Sequence, residues 1–126
     1  MLILIVDSSV PVIERLIALI KETEIATSTS YASSYHKALS LFREQQPDVV
    51  VLDMSLPENK SMELLKLISK ANDHTVVIAL ANSSDHQLAG QCRLNGAAYF
   101  FDKYHDYEQV PGVIRELAGH KWPERS

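Results

Sequence analysis

The chain has one cysteine, four glycines and five prolines among its 126 residues. A lone Cys92 excludes an internal disulfide and any zinc cluster built from several thiolates. With Leu88 and Leu94 nearby, it reads as a core or helix-face thiol rather than a reactive one. Few glycines and prolines, with 46% hydrophobic and 22% charged residues, exclude a disordered chain. Basic excess is also missing. Twelve Lys and Arg stand against 16 Asp and Glu, the formal net charge is −4 and no two basic residues adjoin, so electrostatic capture of nucleic acid is not expected. The longest apolar runs, Met1 to Val6 and Val76 to Ala81, fall far short of the roughly 18 residues a membrane span needs. No Lys or Arg precedes Arg15 and Asp7 interrupts the first apolar run, so no signal peptide and no membrane are expected, and the cytoplasm is the expected setting. The length suits a single domain, read here as residues 1–119, followed by a polar tail over 120–126.

What is present is a regular metre. Candidate strands begin near Leu2, Ile25, Asp48, Thr75 and Ala97, 22 to 27 residues apart. Leu2 to Val6, Val49 to Leu52 and Val76 to Leu80 are almost wholly apolar, as strands covered on both faces are. Ile25 to Tyr31 is rich in Thr and Ser and suits a sheet edge. Between strands the period changes to i, i+3, i+4, i+7: Ile13, Leu16, Ile17, Ile20; Tyr35, Ala38, Leu39, Phe42; Leu64, Leu67, Ile68, Ala71; and Val110, Val113, Ile114, Leu117. Ser84 to Leu94 is placed as a helix by the metre, with Leu88 and Cys92 as its apolar pair. Ser9 with Pro11 opens the first helix, Pro47 stops the second and Gly96 ends the fourth. Alternating strands and helices predict an α/β fold, a doubly wound five-stranded parallel sheet of order 2-1-3-4-5 with helices on both faces. Ligands of such sheets bind at the carboxyl ends of the strands, where the winding reverses.

Those positions carry Asp7 and Ser8 after the first strand, Asp53 after the third, Ala81 and Asn82 after the fourth and Lys103 after the fifth. Each alone could be an ordinary loop polar group. Two acids and a lysine converging on one crevice put opposite charges where burial is costly without a purpose. From Leu2 to about Leu117 the chain resembles the response-regulator receiver domain. The likeness rests on Leu4-Ile5-Val6-Asp7, on Pro47-Asp48-Val49-Val50-Val51-Leu52-Asp53-Met54-Ser55-Leu56-Pro57, on Asn95-Gly96-Ala97 and on Phe101-Asp102-Lys103. By that resemblance Asp53 accepts a phosphoryl group from a histidine kinase or phosphotransfer protein, as an acyl phosphate. Asp7, Asp53 and the backbone carbonyl of Ser55 hold Mg²⁺, and Lys103 pairs with the phosphoryl oxygens. The residue types suit the chemistry. A carboxylate attacking an anionic phosphoryl group needs a divalent cation and an ammonium to offset the charge and hold an in-line geometry. The reading requires Asp53 to be an accessible nucleophile, flanked by Asp7 and Lys103.

The chain departs from the family pattern at several positions. Ser8 stands where a second acid contacts the metal. At an effective dielectric near 20 a unit charge beside a cation is worth on the order of a few kcal/mol, so Mg²⁺ is expected to bind about 100-fold more weakly, with Ser8 reaching it only through its hydroxyl or a water. Ala81 replaces the Thr or Ser whose hydroxyl draws the fourth loop inward, and Ser83 and Ser84 could substitute only if that loop is rearranged. Phe100 matches the aromatic of the same switch and equally suits an ordinary core position. Tyr104 follows Lys103 where many receivers have a cis proline. A cis bond to Tyr would cost roughly 2.5 to 4 kcal/mol against about 0.5 to 1 for Pro, so a trans bond is predicted. Ser61 replaces a common Gly, which predicts an altered turn near Glu58 to Lys60.

Two functions fit. One is a single-domain response regulator that takes a phosphoryl group on Asp53 and signals by docking to a partner protein, with no effector domain expected after it. The other is a receiver-like interaction module independent of phosphate, which Ser8 and Ala81 together suggest. Enzyme readings are weaker: an Asp-nucleophile hydrolase would want an acid two residues after Asp53, where Ser55 stands. Asp7 to Pro11 has no glycine to admit a dinucleotide's pyrophosphate. His36, His74, His86, His105 and His120 show no ligand spacing and read as surface residues. Tyr104 and Tyr107, with the apolar stripe through Leu117, lie in a region the family uses for docking or for homodimers. Tyr104 and Trp122 are the candidates for an exposed contact.

Overall fold

The computed structural model describes residues 1–82, 85–106 and 108–121, without the side chains of His120 and Lys121. Ten elements alternate: β1 (Leu2–Val6), α1 (Val10–Lys21), β2 (Ser28–Ala32), α2 (Tyr35–Gln45), β3 (Val49–Asp53), α3 (Ser61–Ala71), β4 (Val76–Ala81), α4 (His86–Leu94), β5 (Ala97–Asp102) and α5 (Gln109–Lys121). The strands form one parallel sheet in the order β2-β1-β3-β4-β5. This is the predicted doubly wound architecture, with the winding reversing between β1 and β3.

The apolar runs are explained by side chains that alternate between two cores. Leu4, Val6, Val50, Leu52, Val77 and Ala79 face one way, onto Ala38 and Phe42 of α2, Leu64, Leu65 and Ile68 of α3 and Cys92 of α4. Ile3, Ile5, Val49, Val51, Ile78 and Leu80 face the other, onto Ile13, Leu16 and Ile20 of α1 and Val110, Val113, Ile114 and Leu117 of α5. Cys92 is fully buried, and burial raises its thiol pKa, as an inert core thiol requires.

The helix stops are those the sequence announces. Ser9 Oγ accepts the Val12 N–H at 3.4 Å with Pro11 in the first turn of α1. Gln46 closes α2 in the left-handed region, at φ 47°, directly before Pro47. Gly96 sits at φ 114°, where a Cβ would run into the Ser69 side chain. A cap the sequence reading did not single out is Asp85, which accepts the Gln87 and Leu88 N–H groups at 2.9 and 3.3 Å at the start of α4.

Three boundaries and one helix face differ from expectation. α4 opens at His86 rather than Ser84, because Asp85 is its N-cap. β2 starts at Ser28 rather than Ile25, because the exit from α1 consumes the intervening residues. Thr23 Oγ1 donates to Ile20 O and accepts from Ile25 N–H, Glu24 turns at φ 60°, and the ladder opens only where Ser28 N–H reaches Met1 O at 2.9 Å. The buried stripe of α3 runs through Ser61, Leu64, Leu65 and Ile68, leaving Leu67 at its edge and Ala71 exposed. The backbone of α5 continues to Lys121, into the stretch read as tail.

Candidate functional site

Register brings the candidate residues together. Val6 pairs with Leu52 across β1 and β3, so the residues that follow, Asp7 and Asp53, stand side by side at the winding reversal. Ala81 pairs with Asp102 across β4 and β5, and the Lys103 N–H extends the ladder to Ala81 O at 2.6 Å. The Lys103 side chain returns across the end of β4, putting Nζ 2.8 Å from Asp7 Oδ2 and 3.3 Å from Asp53 Oδ2. Each acid's other oxygen is held by the loop it starts: Asp7 Oδ1 accepts the Ser9 N–H at 2.8 Å and Asp53 Oδ1 accepts the Ser55 N–H at 2.9 Å.

The convergence of Asp7, Asp53 and Lys103 is as expected; their openness is not. Asp7 is 1% exposed, Asp53 2% and Lys103 7%. The cluster is a buried ion triad rather than an open nucleophile. Burial raises the Asp7 pKa, helped by the neighbouring Asp53 charge, and the Lys103 ammonium and the Ser9 N–H only partly offset it. Burial alone would lower the Lys103 pKa, but the two carboxylates outweigh it and the net shift is upward, which keeps the ammonium charged. Two acids and one base leave the triad short of one positive charge.

That deficit bears on a metal. Asp7 Oδ2 is buried and, its ion pair with Lys103 apart, accepts no hydrogen bond. That oxygen, once Lys103 moves off it, and the neighbouring Asp53 carboxylate are a hard-oxygen donor set of the kind Mg²⁺ takes, which needs few protein ligands and keeps waters. Among the described residues no group of three or more His, Cys, Asp and Glu could hold a metal ion, so an all-protein cage is not what these residues offer. Ser8 and Ser55 are exposed at the rim. His36, His74, His86 and His105 are also exposed, and His105 Nδ1 lies 3.1 Å from Asp102 Oδ2.

Ala81 is buried at the end of β4 and has no hydroxyl to offer. Phe100 is half-buried against the α2–α3 core and lines a cavity of about 190 Å³ with His86, Ala89, Arg93, Asp102 and Asp106. Ser83, Ser84, Tyr107 and Trp122 lie outside the described residues. Tyr104 is 70% exposed, as expected of a contact residue, and no described peptide bond is cis, the Lys103–Tyr104 bond included.

A protein-family model described as the response regulator receiver domain matches residues 3–115. The chain belongs to that family. Receivers are signalling modules rather than enzymes in the ordinary sense; phosphoryl acceptance is general among them, and they bind Mg²⁺ for it. Among related proteins, the transcriptional regulatory protein YdfI of Bacillus subtilis is 29% identical over 97 residues, which cover 77% of this chain and 46% of that protein. The chain spans about half the length of the curated relatives it matches first. The signal receiver domain of the DNA-binding response regulator merR from Colwellia psychrerythraea superposes with a TM-score of 0.88 at 20% identity, covering 94% of this chain and 98% of that one. A chain of the CheX-CheY-BeF3-Mg²⁺ complex from Borrelia burgdorferi superposes with a TM-score of 0.81 at 23% identity, covering 92% and 87%. No described helix of this receiver is long and apolar enough to cross a membrane.

Two residues at the site went without a role in the sequence reading. Asp102 is buried, and its Oδ1 accepts the Tyr104 and His105 N–H groups at 2.8 and 3.3 Å, shaping the turn that aims Lys103. An Asp two residues before an exposed aromatic is an Asx-turn signal that could have found it. Ser61 was noticed only for replacing a glycine. Its hydroxyl is tied into the loop after β3, donating to Asp53 O at 2.7 Å and accepting the Leu56 N–H at 3.2 Å. The turn near Glu58 to Lys60 closes through Asn59 at φ 57°, whose N–H bonds Leu56 O at 3.0 Å.

Proposed function

We propose that this receiver takes a phosphoryl group onto Asp53 from a histidine kinase or phosphotransfer protein in the cytoplasm and signals by docking to a protein partner. The observation that carries the reading is the ammonium of Lys103 at 2.8 and 3.3 Å from two buried acids at the winding reversal. Nothing in an ordinary loop calls for that charge set. In the transfer, an Asp53 carboxylate oxygen forms the new P–O bond while the donor's P–N bond breaks and the departing histidine nitrogen takes up a proton. Asp53 is 2% exposed with Lys103 Nζ 3.3 Å from its Oδ2, so the lysine has to leave that oxygen before the donor's phosphorus can reach it; its compact charge then offsets that of the phosphoryl oxygens. Asp7, Asp53 and the Ser55 carbonyl would hold Mg²⁺, which supplies the remaining positive charge when bound; Ser8 would add at most a hydroxyl or a bridging water. Binding is therefore weak. The domain is taken as 1–119, and exposed Tyr104 marks the α5 approach as the docking side, a homodimer included.

One observation favours a second reading, a phosphate-independent interaction module. Lys103 already pairs with both acids without a metal, though one negative charge is left over, Ser8 contributes no charge, and Ala81 cannot bond a phosphoryl oxygen. Incubation with acetyl phosphate and Mg²⁺ followed by intact mass separates the two. A gain of one phosphoryl group is expected, and no gain under saturating donor would favour the module.

A further inference from the structure

We propose that Ser61 is a positioning residue for this site, its hydroxyl holding the four residues from Asp53 to Leu56 in the conformation that the metal and phosphoryl group require. The inference rests on the acceptor reading above and adds a residue of this chain to it. Ser61 begins α3 and is 2% exposed. It does not cap its own helix: Lys60 is the N-cap and makes no side-chain cap bond. Instead its Oγ turns back to the loop, donating to Asp53 O at 2.7 Å and accepting the Leu56 N–H at 3.2 Å.

One hydroxyl thus ties both ends of the segment. Inside it, the Met54 N–H bonds Leu80 O at 2.8 Å and the Ser55 N–H bonds Asp53 Oδ1 at 2.9 Å. Three successive N–H groups then have one acceptor each, from β4, from Asp53 itself and from Ser61. With the N–H groups assigned, the Ser55 carbonyl has little freedom. Removing the Ser61 hydroxyl takes the acceptor from the Leu56 N–H and a donor from Asp53 O, and peptides between Asp53 and Leu56 would have to rotate to replace them. That moves the Asp53 carboxylate and the Ser55 carbonyl together. Partners that orient ligands from behind in this way change metal affinity by about 10- to 100-fold when lost.

The test compares Ser61→Ala, Ser61→Thr and Ser61→Cys with Ser69→Ala. Ser69 is a matched control on the same helix: its Oγ donates to Asn95 O at 2.9 Å, remote from the site. Three quantities are measured: the Mg²⁺ Kd by NMR titration, the rate of phosphoryl gain from acetyl phosphate by intact mass, and thermal unfolding. Ser61→Ala should weaken Mg²⁺ and slow phosphoryl gain about 10-fold each. Ser61→Thr, which keeps the hydroxyl, should restore both, while Ser69→Ala should lower the unfolding temperature and leave both unchanged. Native Mg²⁺ affinity and rate in Ser61→Ala, or equal changes in Ser61→Ala and Ser69→Ala, would overturn the proposal. Should Ser61→Ala not fold, Ser61→Cys decides, since sulfur keeps the shape and bonds poorly: lowered affinity supports the role and native affinity overturns it. A native chain that gains no phosphoryl group contradicts the acceptor reading instead, and Ser61 is then judged on the Mg²⁺ Kd alone.

Discussion

The carboxyl ends of β1, β3 and β5 contrast with that of β4, which lies between β3 and β5. The first three deliver Asp7, Asp53 and Lys103 into a buried triad with contacts of 2.8 and 3.3 Å. The fourth delivers Ala81, buried and without a polar side-chain atom, two residues beyond the Ala79 that pairs with half-buried Phe100. Capturing a phosphoryl group and reporting it place different demands on a sheet. Capture needs opposite charges held against their desolvation cost, and this chain keeps them. On the function proposed above, reporting needs a side chain that changes partner when the phosphoryl group arrives, and Ala81 has no hydroxyl to do so. On that reading the two tasks could be altered one at a time, the triad persisting while the coupling to the surface thins.

Replacing Asp53 by Asn should break the capture half outright: the gain of one phosphoryl group seen with acetyl phosphate and Mg²⁺ should vanish, as read by intact mass. Next in size is Lys103→Met, which strands two buried carboxylates and should cost about 3 kcal/mol in urea denaturation. The upshifted Lys103 pKa sets its pH signature. Its stabilisation is fully present below the ordinary lysine value of 10.5 and is lost as pH rises through the higher folded value, so the native chain should lose stability above that pH and Lys103→Met should not.

Asp7→Asn should go the opposite way and stabilise the domain by about 1 kcal/mol at neutral pH, because it removes the uncompensated charge of the triad. The sign follows from the raised Asp7 pKa. Stability from its proton is complete below the ordinary value of 3.8 and is lost as pH rises through the higher folded value, a loss the Asn variant escapes. Urea titrations of both chains across the acid range would show their stabilities converging toward low pH. The smallest effect sharpens the reporting half. Ala81→Thr restores a hydroxyl in a packed position and should cost about 1 to 2 kcal/mol, while enlarging the NMR shift changes around Phe100 on addition of beryllofluoride and Mg²⁺. Unchanged shifts there would show that the β4 end does not limit the coupling.

The sheet order and the triad were legible because both depend on patterns the chain repeats: apolar runs feeding two cores, and polar residues placed directly after them. Asp7, Asp53 and Lys103 needed only the strand ends to be found. The start of β2 was not legible, since Ile25 has the β-propensity of a strand residue and only the Thr23 and Glu24 turn shows where the ladder begins. The burial of the triad was missed for a related reason. Sequence shows that charges converge, whereas how deeply they sit depends on how the chain packs around the strand ends. Ser61 escaped because a serine opening a helix is expected to cap it, and whether its hydroxyl points along the helix or back into the loop is decided by tertiary packing.

The account is tested most directly by locating the phosphoryl group. After treatment with acetyl phosphate and Mg²⁺, borohydride reduction converts an aspartyl phosphate to homoserine, and peptide mass spectrometry reads the position. Homoserine at residue 53, dependent on donor and absent from Asp53→Asn, is the predicted result. Reduction at another acid, such as Asp7 or Asp102, or at none, would contradict it.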